Sequence, residues 1–152
     1  MDLADDELLS FAYGSNMASR YLRQECPSAT AVMRAALPNY RIEFRRFSTN
    51  MKGGISTIME APGDLVHGIL YRIRRADFDA LDALENLGEG LYRRETFLVL
   101  GEDGGWHKGD LYRVARPAGP FKVASAYLAL MLEGAREHGL PDAYIESLEA
   151  LA

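Results

Sequence analysis

Between Thr30 and Ile73 the apolar residues come in short runs of alternating or β-branched character, separated by turn-forming residues. The separators are Pro38-Asn39, Gly53-Gly54 and Ala61-Pro62-Gly63-Asp64. This punctuation predicts four strands, Thr30 to Ala36, Tyr40 to Phe47, Ile55 to Met59 and Val66 to Ile73, laid one upon the next. Leu8 to Tyr13 reads as an earlier strand, followed by a helix that begins near Met17 and runs through Arg20 and Tyr21 toward Cys26-Pro27. From Ala76 the period changes. Phe78, Leu81, Leu84 and Leu87 fall on one helical face, which Asp77 helps begin and Gly88 and Gly90 stop. Two more strands, Arg94 to Leu100 and Trp106 to Ala115, flank a hairpin turn at Glu102-Asp103-Gly104-Gly105. Residues 121–137 form a second long helix ended by Gly139, and Pro141 opens a short final one. Consecutive strands with helices set between and after them predict a mixed α+β fold, its mostly antiparallel sheet curled or barrel-like with flanking helices.

At 152 residues, 48% apolar and 26% charged, the chain has the size and composition of one globular domain, 1–152. Its 17 Lys+Arg against 22 Asp+Glu leave a net charge of −5, which argues against nucleic acid as a partner. The densest positive stretches, Arg41 with Arg45-Arg46 and Arg72 with Arg74-Arg75, lie in or beside alternating strand patterns and are expected to face solvent. A single cysteine allows no internal disulfide and fits a reducing compartment. Cys26 itself, before Pro27 and with no evident base beside it, is expected to be a packed or idle thiol. The acidic segment Met1 to Glu7 lacks the features of a secretion signal, and even Ala124 to Leu132 is too short to cross a bilayer. A soluble cytoplasmic protein without a membrane partner is expected. His67, His107 and His138 are too scattered for a local metal motif.

Two stretches carry candidate chemistry. Phe11-Ala12-Tyr13-Gly14-Ser15-Asn16-Met17 ends a strand in residues that turn the backbone and cap a helix, a corner able to present N–H groups to an anion. Gly14 is expected to supply backbone freedom there. Glu85 follows the apolar face of the middle helix and precedes its glycine-rich exit. At the border of the core it would be desolvated and its pKa raised toward a value useful for proton transfer; otherwise it is a solvated helix charge like Asp82 and Glu89. Ser15 lacks a nucleophile elbow and a nearby histidine.

In combination these stretches resemble the γ-glutamylcyclotransferases. Phe11 to Met17 is similar to that family's signature loop, and Leu81-Asp82-Ala83-Leu84-Glu85 to the Leu-Asp-x-x-Glu segment carrying its catalytic glutamate. Gly53 to Ile58 and Pro62 to Gly68 resemble the strands before the catalytic helix. Tyr92 matches the tyrosine seven residues past the glutamate, and Tyr127 with Gly134 to Pro141 matches the closing helix. The chain departs from the family at Asn86, where glycine is frequent, and between Gly101 and Pro120. The resemblance implies intramolecular aminolysis of a small-molecule γ-glutamyl substrate, giving 5-oxoproline and a free amine without metal or cofactor. It implies Glu85 as general acid and base, and Phe11, Ala12, Tyr13, Gly14, Ser15, Asn16, Tyr92 and Tyr127 as substrate-binding residues in a monomer or homodimer. The N–H corner would hold either the substrate α-carboxylate or the oxyanion at the γ-carbon. Alternative readings are a pathway-specific remover of a γ-glutamyl protecting group from a larger amine, and a non-catalytic module that binds a carboxylate.

Overall fold

A computed structural model describes residues 2–85 and 90–152. Five strands close into a barrel in the order β1-β3-β2-β4-β5. They are β1 (Glu7–Ala12), β2 (Thr30–Ser48), β3 (Gly53–Arg74), β4 (Tyr92–Gly101) and β5 (Trp106–Val114). Neighbours pair antiparallel except where β1 meets β5 in parallel, at Ser10 and Asp110, to close the ring. The helices are α1 (Ser19–Glu25), α2 (Arg75–Leu84), α3 (Ser125–Glu137) and α4 (Asp142–Glu149), and a single 3-10 turn, Ser15–Met17, precedes α1. Among the described residues no helix is long and apolar enough to cross a membrane.

The two-residue alternation of the strands divides the core. Val66 and Leu70 of β3 join Leu9, Phe11, Leu37, Ile58, Val99 and Leu111 in a cluster of strand side chains that fills the barrel. Ile69, Tyr71 and Ile73, on the other face of β3, pack with Met17, Leu22, Phe78, Leu81, Leu128 and Met131 from the helical layer. The expected curled, mostly antiparallel sheet with flanking helices is thus realised.

Several boundaries differ from the expectation. Pro38-Asn39 and Ala61 to Asp64 do not reverse the chain, because they face each other across one ladder. The register passes from Pro38 opposite Leu65 to Tyr40 opposite Glu60, so residues 61–64 stand against Asn39 alone. Asn39 takes a φ of 69°, and its Oδ1 accepts the Gly63 N–H at 3.0 Å. Two predicted strand pairs therefore become two long strands that bend at one irregularity. Residues 121–124 are extended rather than helical. Their backbone pairs with Gly54, whose N–H donates to the Lys122 carbonyl at 2.7 Å and whose carbonyl accepts the Ala124 N–H at 3.0 Å. The first helix starts later than predicted, since extended Ala18 separates the 3-10 turn from α1. In α2 Phe78 and Leu81 are buried, but Leu84 is 47% exposed because the helix ends there. Leu87 and Gly88 lie outside the described residues.

Candidate active site

Tyr13 leaves β1 buried, its hydroxyl donating to the Tyr112 carbonyl. The chain then makes the 3-10 turn, in which the N–H groups of Met17 and Ala18 reach the carbonyls of Gly14 and Ser15 at 3.1 and 3.2 Å. The N–H groups at the start of such a turn have no acceptor within it, and the Ser15 backbone hydrogen-bonds the Tyr127 phenol. Gly14 is required there for space, since a Cβ would lie 2.3 Å from Tyr127 Oη and 2.7 Å from Ser56 Oγ.

Tyr127 reaches that point because α3 crosses the turn closely. A Cβ on Gly134, two helical turns further along the same face, would stand 2.3 Å from the Met17 carbonyl carbon. Glycine at 134 lets the helix lie on the Met17-Ala18 backbone, and Tyr127 then covers Gly14, its hydroxyl 2.7 Å from Ser56 Oγ. The far end of the turn is held by a polar cluster. Tyr71 Oη donates to the Met17 carbonyl at 2.9 Å and meets Ser19 Oγ at 2.9 Å and His138 Nε2 at 2.8 Å. Glu137 accepts the Ser19 N–H at 3.0 Å. His138 is thereby a structural partner of the corner.

Glu85 caps the C-terminal end of α2, its N–H bonded to the Leu81 carbonyl at 2.9 Å. It lines a cavity of about 250 Å³ whose floor is the Gly14 corner. Burial pushes its carboxyl up to about 7, with the positive charge of Arg46 pulling in the opposite direction. Asp82, one turn earlier, is held outside the cavity by Arg94 at 3.0 Å and by the Tyr112 hydroxyl. The border-of-core reading of Glu85 therefore prevails over the solvated one. Tyr13, Tyr92 and Tyr127 all have phenols raised above their ordinary value, chiefly by burial, and stay protonated as hydrogen-bonding groups.

All nine residues singled out from the sequence, Phe11 to Asn16 with Glu85, Tyr92 and Tyr127, line this one cavity. Asn86 lies outside the described residues. Sequence reasoning missed Ser56, Tyr21, Tyr112, Ser48, Asn50 and Arg46, which also contribute to the wall. Ser56 is a buried polar side chain inside an apolar strand, a signal that only the register against Tyr127 makes legible. The solvent-facing expectation for Arg46 is corrected. The ladder steps from Phe44 opposite Ser56 to Arg46 opposite Ile55, and this bulge at Arg45 turns Arg46 to the cavity side. Its guanidinium lies over the Tyr92 ring, 5.2 Å from the centroid. Among the described residues no group of three or more His, Cys, Asp or Glu is assembled to hold a metal ion. Cys26 is buried under Asp77, apart from the cavity.

Comparison with known proteins points one way. A family model described as "AIG2-like family" matches residues 65–148. The chain is 30% identical over 154 residues to the Mus musculus protein named gamma-glutamylcyclotransferase, covering 96% of this chain and 79% of that one. It is 29% identical over 155 residues to the Homo sapiens protein of the same name, covering 97% and 80%. A solved structure named gamma-glutamyl cyclotransferase superposes with a TM-score of 0.91 at 28% identity, covering 96% of this chain and 88% of that one.

Proposed function

We propose a γ-glutamyl cyclisation for this chain, which belongs to the AIG2-like family together with the γ-glutamylcyclotransferases that it matches. The substrate's α-amino nitrogen attacks its own γ-carbonyl carbon. One N–C bond forms, the bond from that carbon to the leaving nitrogen breaks, and 5-oxoproline and a free amine result. The α-ammonium gives up two protons and the departing amine, as an ammonium, takes up two, so the reaction balances without a co-reactant.

The protein's task is to fold the glutamyl group and to move protons, because nucleophile and electrophile already share one molecule. In this reading the Glu85 carboxylate accepts a proton from the α-ammonium, and its acid form delivers one to the departing nitrogen. A carboxyl held at about 7 is suited to both steps at neutral pH. The N–H groups of the Gly14 corner hold the negative charge of the glutamyl half, either its α-carboxylate or the oxyanion, and loss of one such donor costs about 10²–10³-fold. Tyr127, fixed by Ser56, and Tyr92 close the ring-forming group against water.

The observation that carries this reading is that Glu85 and the Gly14 corner, distant in sequence, share one cavity of about 250 Å³. The volume sits just below the roughly 300–1,000 Å³ of drug-sized sites, in keeping with a small ligand. The test is 5-oxoproline release from a panel of γ-glutamyl amides by wild type and Glu85→Gln. Turnover should fall by about 10²–10⁴-fold in the variant. Wild-type rates in Glu85→Gln remove Glu85 from the mechanism, and no turnover of any panel member removes the mechanism itself.

A further inference from the structure

Arg46 makes no contact that the cyclisation above calls on, yet it lines the cavity just past a bulge in β2, with its guanidinium over the Tyr92 ring, 5.2 Å from the centroid. Its neighbours in sequence are paired. Arg41 and Arg45 share Glu43 at 2.5 and 2.6 Å, whereas among the described residues no carboxylate stands within salt-bridge distance of Arg46. An arginine that lines a cavity is matched by a carboxylate, which accepts two parallel N–H bonds from the guanidinium fork.

The depth of the cavity decides which carboxylate. Tyr13, Gly14, Ser56 and Tyr127 at its floor are buried, whereas Arg46, Ser48 and Asn50 belong to the more open end of the β2–β3 pair. The ring-forming glutamyl half must occupy the floor to bring its γ-carbon between the N–H corner and Glu85. The leaving group then projects toward the rim. There Tyr21 and Leu84 carry no positive charge, and Arg46 does.

We propose that Arg46 is a specificity residue that binds the carboxylate of the departing amino acid, making γ-glutamyl amino acids preferred over γ-glutamyl amides that lack a carboxylate on the leaving side. The proposal rests on the cyclisation reading above. It also gives a reason for the Tyr92 contact, since the aromatic face orients the guanidinium before substrate arrives. A positive rim on a chain of net charge −5 further draws an anionic dipeptide to the site.

The test compares γ-glutamyl-alanine with γ-glutamyl-alaninamide, which differ only in the leaving-side carboxylate. Wild type, Arg46→Met and Arg46→Lys are assayed for 5-oxoproline at pH 8.5, where Glu85 is ionised. Because leaving-group reactivity is common to all three proteins, the ratio of variant to wild type isolates the contact. Arg46→Met should lower kcat/KM on γ-glutamyl-alanine by about 10- to 100-fold, mainly through KM, the range expected for a lost charged hydrogen bond. The alaninamide should change by less than about threefold, and Arg46→Lys should fall between. The alaninamide also reports on folding, because a misfolded variant would lose both activities. An equal loss on both substrates, or no loss on either, overturns the proposal and leaves the cyclisation standing. Absence of turnover of both substrates by wild type overturns the two together.

Discussion

Replacing Glu85 by glutamine should stabilise the protein at alkaline pH while it lowers turnover by about 10²–10⁴-fold. The side chain keeps its size and loses only its charge, so the change in stability isolates what the burial of that charge costs. In the folded protein burial raises the Glu85 carboxyl from 4.5 to about 7. Below pH 4.5 the group is protonated in both folded and unfolded chains and contributes nothing. Between 4.5 and 7 the unfolded chain has released its proton while the folded one retains it, so stability falls as pH rises. Above 7 the folded protein carries the full penalty, and at about 1.4 kcal/mol per pH unit the shift amounts to a ceiling of about 3 kcal/mol. For a chain of this length that is roughly 6–12 °C in Tm. Urea or thermal unfolding of wild type and Glu85→Gln, at pH 4.5 and at pH 8.5, reads it directly. The variant should gain on wild type between the two pH values by an amount approaching that ceiling. A difference between the two proteins that is the same at both pH values would mean that Glu85 titrates as an ordinary solvated glutamate, and the reasoning that makes it a proton carrier would fail with it.

Gly14→Ala places a methyl group where Tyr127 Oη and Ser56 Oγ already stand, at 2.3 and 2.7 Å, and should cost about 1–3 kcal/mol together with most of the activity. Adding Tyr127→Phe removes the closer atom and should recover part of the lost stability in urea unfolding; a single variant as stable and active as wild type would refute the close approach. Burial pushes the Cys26 thiol up to about 12, so the thiolate fraction near pH 8 is roughly a thousandfold below that of a free cysteine. Iodoacetamide should therefore label the native protein far more slowly than the urea-unfolded chain, and equal rates would contradict its packed position.

The parts of this fold that can be read from sequence are those set by side-chain alternation within one strand. Val66 and Leu70 against Ile69, Tyr71 and Ile73 already separate the barrel interior from the helical face. What escapes is set by residues far away. Pro38-Asn39 looks like a reversal until Ala61 to Asp64 stand opposite it and absorb the irregularity within the ladder. Lys122 and Ala124 look helical until Gly54 takes their backbone bonds. The same division runs through the site. Gly14 and Glu85 sit at element ends, where turn and cap chemistry leave a local mark, but it is the resemblance to the γ-glutamylcyclotransferases that singles them out. Arg46 is not legible, because the run from Arg41 to Arg46 reads as solvated charge and only the register step from Ser56 to Ile55 shows which face Arg46 takes. A bulge breaks the two-residue rule from which sequence reasoning proceeds, and here the break turns one arginine of a solvated run into the cavity. An arginine from a run expected to face solvent is thus the one whose charge reaches Glu85.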